Sequence, residues 1–243
     1  MEKRDNQGRR RLIWEKSIMS PWYKTAKECL AIRKNVLRVD LCIFIDKEEQ
    51  FANVDYLDST IKSILTSAII NGLDVIGILS ADDPSVGLKA NQMAVEQKMD
   101  IVVIPGQTYI CRDNESIYVY KLQKPIPKNL TIDKACEFAH KQGGYVVVAN
   151  VTKALGQKIN RLQGSLFAPD AVEIFNAKVG GYRDVDIDFP RFVSSGATSA
   201  TELEENNVFT LVERKKAVEM GFIHEEQGVD YTPKYLLPKT GEV

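Results

Sequence analysis

The stretch Ser80-Ala81-Asp82-Asp83 stands directly after an apolar run, Asp74–Leu79, and directly before a segment of helical spacing. That is the carboxyl end of a strand, the place where α/β folds hold ligands and reacting groups. One hydroxyl and two adjacent carboxylates are a meagre set for catalysis, and acids at a helix start serve equally as cap and dipole partners. Cys42 lies near the end of another apolar run. No histidine is placed beside it to make a thiolate, and a buried cysteine is otherwise inert. The two histidines are His140, late in a helical segment on what should be its outer face, and His224 in a polar tail; neither has a visible catalytic partner, and both read as solvated. Glu173 and Asn176 stand at the end of a further apolar run. In Arg183–Phe189, Asp184, Asp186 and Asp188 alternate along one side of an extended segment, and Asp46 is a further acid outside the apolar framework. One hard cation could use such an array, and a solvated loop or edge strand accounts for it as well. Gly106-Gln107-Thr108 and Gly196-Ala197-Thr198 are glycine–hydroxyl turns without phosphate-loop spacing.

The elements that must position these groups follow from periodicity. Val36–Ile45 alternates, with Leu37, Val39, Leu41, Ile43 and Ile45 on one face and Arg38, Asp40, Cys42 and Phe44 on the other. Asp55–Asn71 has Leu57, Ile61, Ile64, Leu65, Ala68 and Ile69 at helical spacing, with Gly72 placed to stop it. Strand Asp74–Leu79, helix Val86–Lys98 and strand Ile101–Pro105 come next, then a hairpin over Thr108–Leu122. Helix Thr131–Gln142 ends at Gly143-Gly144, and beyond it come strand Tyr145–Ala149, helical Thr152–Leu162, and strands at Ala171–Phe175, Phe192–Ser194 and Val208–Val212. Nearly all-apolar strands alternating with helices indicate parallel strands buried on both faces. About seven of them predict an α/β distorted TIM-type barrel in preference to an open doubly wound sheet.

Three pieces result: a basic arm with a short helix over 1–35, the barrel over 36–220 and a polar tail over 221–243. The 243 residues carry 32 basic and 33 acidic side chains, so the chain as a whole has no electrostatic reason to seek nucleic acid or membrane. Met1–Arg38 nevertheless holds eleven Lys or Arg against four Asp or Glu. Arg9, Arg10 and Arg11 beside Trp14 suit a protein partner, or the phosphate backbone of a nucleic acid. Four widely spaced cysteines, no apolar run of membrane-spanning length and no signal-like core at the amino terminus predict a reducing, cytoplasmic setting. The triplets beginning at Asn114, Asn129 and Asn150 then meet no glycosylating enzyme.

The order and spacing of Val39–Ile45, Gly72–Asp83, Val103–Gln107, Gly143–Val151, Asp170–Ala177 and Val193–Leu203 resemble the polymerase and histidinol phosphatase (PHP) superfamily of metal-dependent phosphoesterases. The resemblance covers about Val39 to Val212 and implies a barrel with two or three divalent metals held by His, Asp and Glu at strand ends. Carried over residue by residue, it places the two histidines of the opening motif at Cys42 and Phe44. The Asp-His pair after the second strand falls on Ser80 and Ala81, with the following Asp kept as Asp82. The metal-bridging Glu falls on Gln107, the next His on Asn150, and the Asp and His of the closing motif on Gly196 and Thr198. Such a cluster needs anionic or imidazole ligands, which these positions lack apart from the soft thiol of Cys42. The expectation is therefore a degenerate member, with no metal or other cofactor, acting as a binding or assembly subunit. Two alternatives stand beside it. One is a small-molecule or phosphate site at the barrel mouth lined by Ser80, Asp82, Gln107, Asn150, Ser195 and Thr198; the other is a phosphoesterase with a metal site rebuilt from Asp46, Asp184, Asp186 and Asp188.

Overall fold

The computed structural model describes residues 35–45, 54–81, 83–122, 124–181, 183 and 186–223. Arg9, Arg10, Arg11, Trp14, Asp46, Asp82, Asp184 and His224 lie outside them, as does the helix expected in the arm. Two units are distinguished, Met1–Val36 and Leu37–Val243, and the second holds the sheet. The elements are β1 (Val36–Phe44), α1 (Val54–Ile70), β2 (Val75–Ser80), α2 (Ser85–Glu96), β3 (Val102–Ile110), β4 (Ser116–Tyr120), α3 (Ile132–His140), β5 (Tyr145–Val148), α4 (Lys153–Asn160), β6 (Ala171–Asn176), β7 (Arg191–Ser194), α5 (Ala200–Asn206), β8 (Thr210–Glu213) and α6 (Arg214–Glu219).

The strands form one eight-stranded sheet in the order β7-β6-β5-β4-β3-β2-β1-β8. Pairing is parallel for β1–β2, β2–β3, β5–β6 and β6–β7, and antiparallel where the expected hairpin strand β4 meets β3 and β5. Beyond β7 the chain turns back on β1: Ala197 bridges Ile43 in parallel, and the Phe44 N–H donates to Ala197 O at 2.8 Å. The result is a nearly closed barrel. The expected count of about seven becomes eight, and the last strand starts two residues later than its apolar run suggests.

Buried side chains from all eight strands make the interior, among them Leu37, Val75, Val102, Tyr120, Tyr145, Ala171, Phe192 and Val212. Two further clusters lie outside the sheet. One, with Ile61, Ile64, Leu65 and Ala90, seats α1 and α2; the other, with Ile132, Ala135, Leu155 and Ile159, seats α3 and α4. α1 buries Ile61, Ile64, Leu65 and Ala68 at successive helical turns and stops at Gly72, whose φ is 71°. Gly72 N–H and Leu73 N–H close that end by donating to Ile69 O and Ala68 O, both at 2.9 Å.

Interior space is shared unevenly. The Tyr120 ring lies where Gly77 and Gly106 have no side chains: a Cβ on either would fall 2.7 Å from ring carbons of Tyr120. Its hydroxyl donates to Leu41 O. Opposite Gly77, β1 is bulged, since Asp40 pairs with Ile76 but Ile43 with Ile78. The bulge corrects the simple alternation read from the sequence. Leu41 and Cys42 both face the interior, and from there the phase reverses, so that Ile43 and Ile45 pack under helices while Phe44 leans on the interior cluster. At the amino-terminal end of the strands, Phe222 fills the barrel floor edge-on to Tyr145, centroids 4.9 Å apart. Phe222 and Ile223 are fully buried, where the sequence reading had a polar surface tail from residue 221.

Candidate functional site

The mouth lies at the carboxyl ends of the parallel strands, and a second bulge builds its centre. Glu173 pairs with Phe192 and Phe175 with Val193, so β6 carries one extra residue at Ile174. Three positions apart, Glu173 and Asn176 would otherwise face opposite sides of the sheet. The bulge turns both inward. Asn176 Nδ2 donates to Glu173 Oε1 at 3.1 Å and approaches Cys42 Sγ at 3.7 Å. Asn176 Oδ1 accepts from the N–H groups of Lys178 (3.1 Å) and Val179 (3.3 Å). Glu173 also accepts from Ser194 Oγ and, at 3.2 Å, from Tyr118 OH. No cation reaches it in this network, and burial raises its proton affinity.

A second network joins β1 to the segment after β7. The fully buried Asp40 accepts from Ser195 Oγ at 2.5 Å, Ser195 N at 3.2 Å and the bulged Cys42 N at 3.1 Å. All three donors are neutral. Desolvation outweighs them and pushes the carboxyl up to about 7. Burial also pushes the Cys42 thiol far above its ordinary range, the condition of an inert cysteine.

The other positions singled out in the sequence serve mainly local structure. Ser80 is fully buried and donates to Asp83 O at 2.5 Å, while Asp83 Oδ1 accepts from Ser85 N at 2.8 Å, a capping role at the start of α2. Ala81 is exposed. Gln107 is buried, with Oε1 taking the Ile126 N–H at 3.4 Å. Thr198 Oγ1 lies 2.8 Å from Glu202 Oε2 and 3.0 Å from Lys178 Nζ. Gly196 is buried with φ 65°, and a Cβ there would stand 2.1 Å from Asn176 Oδ1. Asn150, exposed at φ 51°, borders two spaces. Inward, beside Glu173 and Asn176, is a cavity of about 10 Å³, room for one water. Outward, between the β3–β4 turn and α4, is a groove of about 380 Å³ lined by Asp113, Glu115, Ala154 and Lys158, with Lys158 Nζ 2.6 Å from Glu115 Oε1.

Asp186 and Asp188 are exposed while Ile187 between them is buried, and Gln163 Nε2 donates to Asp188 Oδ2 at 3.1 Å. Among the described residues no three His, Cys, Asp or Glu side chains come together in a group that could hold a metal ion, and no helix is long and apolar enough to cross a membrane. His140 corrects the sequence reading. It is partnered, with Nε2 2.9 Å from Asp170 Oδ2 and Nδ1 2.8 Å from Leu166 O, at the barrel end opposite the mouth. Its carboxylate partner is 30 residues distant, so no local spacing marks it. Asp40 escapes a sequence reading because its partner Ser195 is set by barrel closure, and Ser194 because its partner Glu173 is set by the pairing of β6 with β7.

No protein-family model matches the chain, and no curated protein matches it. Among solved structures, PsfC from Pseudomonas syringae PB-5123 is similar over 76% of this chain and 95% of its own, with TM-score 0.50 and 11% identity. A candidate metal-dependent phosphoesterase from Bifidobacterium adolescentis ATCC 15703 aligns over 75% of this chain and 94% of its own, with TM-score 0.49 and 9% identity. At 11% identity the likeness to PsfC is one of fold.

Proposed function

We propose that this chain is a catalytically inactive barrel of the PHP type that serves as a binding or assembly subunit. The observation that carries the reading is the Asn176–Gly196 contact. Where the resemblance puts an Asp ligand, the chain has a glycine, and the space its side chain would need is filled by an asparagine bonded on both sides. Cys42, Glu173 and Ser194 complete a hydrogen-bonded filling of the mouth, which suits a structural core better than a hydrolytic site. Function resides in the site rather than the fold, so the phosphoesterase activity does not transfer with the barrel. The basic segment around Arg9, Arg10, Arg11 and Trp14 is the proposed contact for a protein partner, with nucleic acid as the alternative surface.

Elemental mass spectrometry on the purified chain, paired with a phosphoester assay in excess manganese, tests this. Metal well below one equivalent and no turnover above the blank are expected. Two or more bound metals together with turnover would overturn the proposal. A second reading, small-molecule binding, has one observation in its favour: the groove beside Asn150 has the volume of a small-ligand site and carries charges of both signs.

A further inference from the structure

We infer that His140 is a doubly protonated imidazolium at neutral pH, and that its charge fastens the 161–170 loop to α3 and the barrel floor as a pH-released clip. Both ring nitrogens meet oxygens that can only accept: the Leu166 carbonyl at 2.8 Å from Nδ1 and the Asp170 carboxylate at 2.9 Å from Nε2. A neutral imidazole has one N–H. It would leave one of these short contacts as lone pair against lone pair, whereas the cation donates through both. Position adds to this, because His140 is the last residue of α3, where the helix carbonyls favour positive charge.

The acceptors are themselves fixed. Asp170 Oδ2 also takes the Val146 N–H at 2.7 Å, and Asp170 N donates to Val146 O at 2.9 Å, so the carboxylate is tied to the start of β5. The loop returns on itself through Ser165 N to Leu162 O at 3.1 Å and Ala168 N to Ser165 O at 3.2 Å. It carries Leu166 and Phe167, which are 61% and 37% exposed, with Lys134 Nζ of α3 5.2 Å from the Phe167 ring centre. Asp170 is the acid facing the imidazole. Lys121, Cys136 and Tyr145 feel that same carboxylate, and on α3 itself Glu137 is taken up by Lys134 and Lys141. The carboxylate bond raises the imidazole above its ordinary value. The fastening is therefore complete below the ordinary histidine pKa and is lost as pH climbs through the raised one. Release frees a loop whose apolar tip, Leu166 and Phe167, already meets solvent on the face opposite the mouth.

The test uses the full chain labelled with ¹⁵N-histidine. Only His140 and His224 contribute ring signals, and His140→Gln assigns them. Ring protonation is followed by NMR across neutral and alkaline pH while hydrogen exchange reports amide protection at 162–168. Two protonated ring nitrogens at pH 7 are expected, with a drop of at least about tenfold in loop protection at the same midpoint as the ring titration. A single-tautomer neutral ring at pH 7, or loop protection indifferent to the ring's titration, would overturn the inference. The wild-type titration decides alone if His140→Gln fails to fold.

Discussion

The two ends of the barrel hold their carboxylates in opposite ways. At the mouth, Asp40 and Glu173 are buried among hydroxyls, an amide and backbone N–H groups, with no cation bonded to either among the described residues. At the floor, Asp170 meets an imidazole and a backbone N–H. Three neutral hydrogen bonds apiece do not replace the hydration of a carboxylate, so the mouth acids gain proton affinity, whereas the floor carboxylate has an imidazole for a partner. The mouth holds its acids with neutral donors, whereas the floor holds its acid with an imidazole.

This contrast can be broken at the mouth with the largest effect by Gly196→Asp, which restores the acid that the resemblance implies. The new side chain would displace Asn176 from its bonds and place a non-glycine residue at φ 65°. Together these cost on the order of 2–5 kcal/mol, read by urea unfolding. Combining it with Asn176→Ala should recover part of that loss, whereas additive losses would mean the two positions do not share space.

Next in size is a pH effect. Asp40 rises from 3.8 to about 7, so the native state binds more protons than the unfolded chain between those values. Stability from this group is complete below about pH 4 and is lost as pH rises through about 7, by on the order of 2–4 kcal/mol. Glu173 shifts in the same direction and adds to it. Unfolding midpoints measured from pH 5 to 8 should fall, and Asp40→Asn should flatten the slope; an unchanged slope in that variant would assign it to other groups.

The smallest effect is expected at the floor. His140→Gln should cost about 1–2 kcal/mol at pH 6 and little at alkaline pH, where the wild-type ring is already neutral. An equal loss at both pH values would make His140 a packing residue, not a charged one.

The framework was legible because it is local. Ile61, Ile64, Leu65 and Ala68 announce α1, Gly72 and Gly143 announce helix ends, and the apolar runs announce β2, β3 and β5. The likeness in segment order was enough to reach a barrel. The site was less legible, because bulges and closure decide it. Val36–Ile45 alternates without a flaw in sequence, and only the pairing with β2 reveals that Leu41 and Cys42 together oppose Gly77. Glu173 and Asn176 were visible as polar ends of a strand, but their shared facing depends on the extra residue at Ile174. His140 reads as solvated in sequence because the loop that supplies Leu166 and Asp170 carries no periodic signal.

Closure also has a calendar. Asp40 finds its partner Ser195 across 155 residues of chain. At ordinary rates of protein synthesis that interval is roughly 8–30 s. During it, β1 and β2 can pair and α1 can seat, yet the acid has no receptor and Ile43 has no Ala197 beside it. The nascent chain must therefore carry an open sheet with a hydrated carboxylate at its unfinished seam. A proton affinity that is raised in the finished fold is ordinary in that interval, because the carboxylate is still in water.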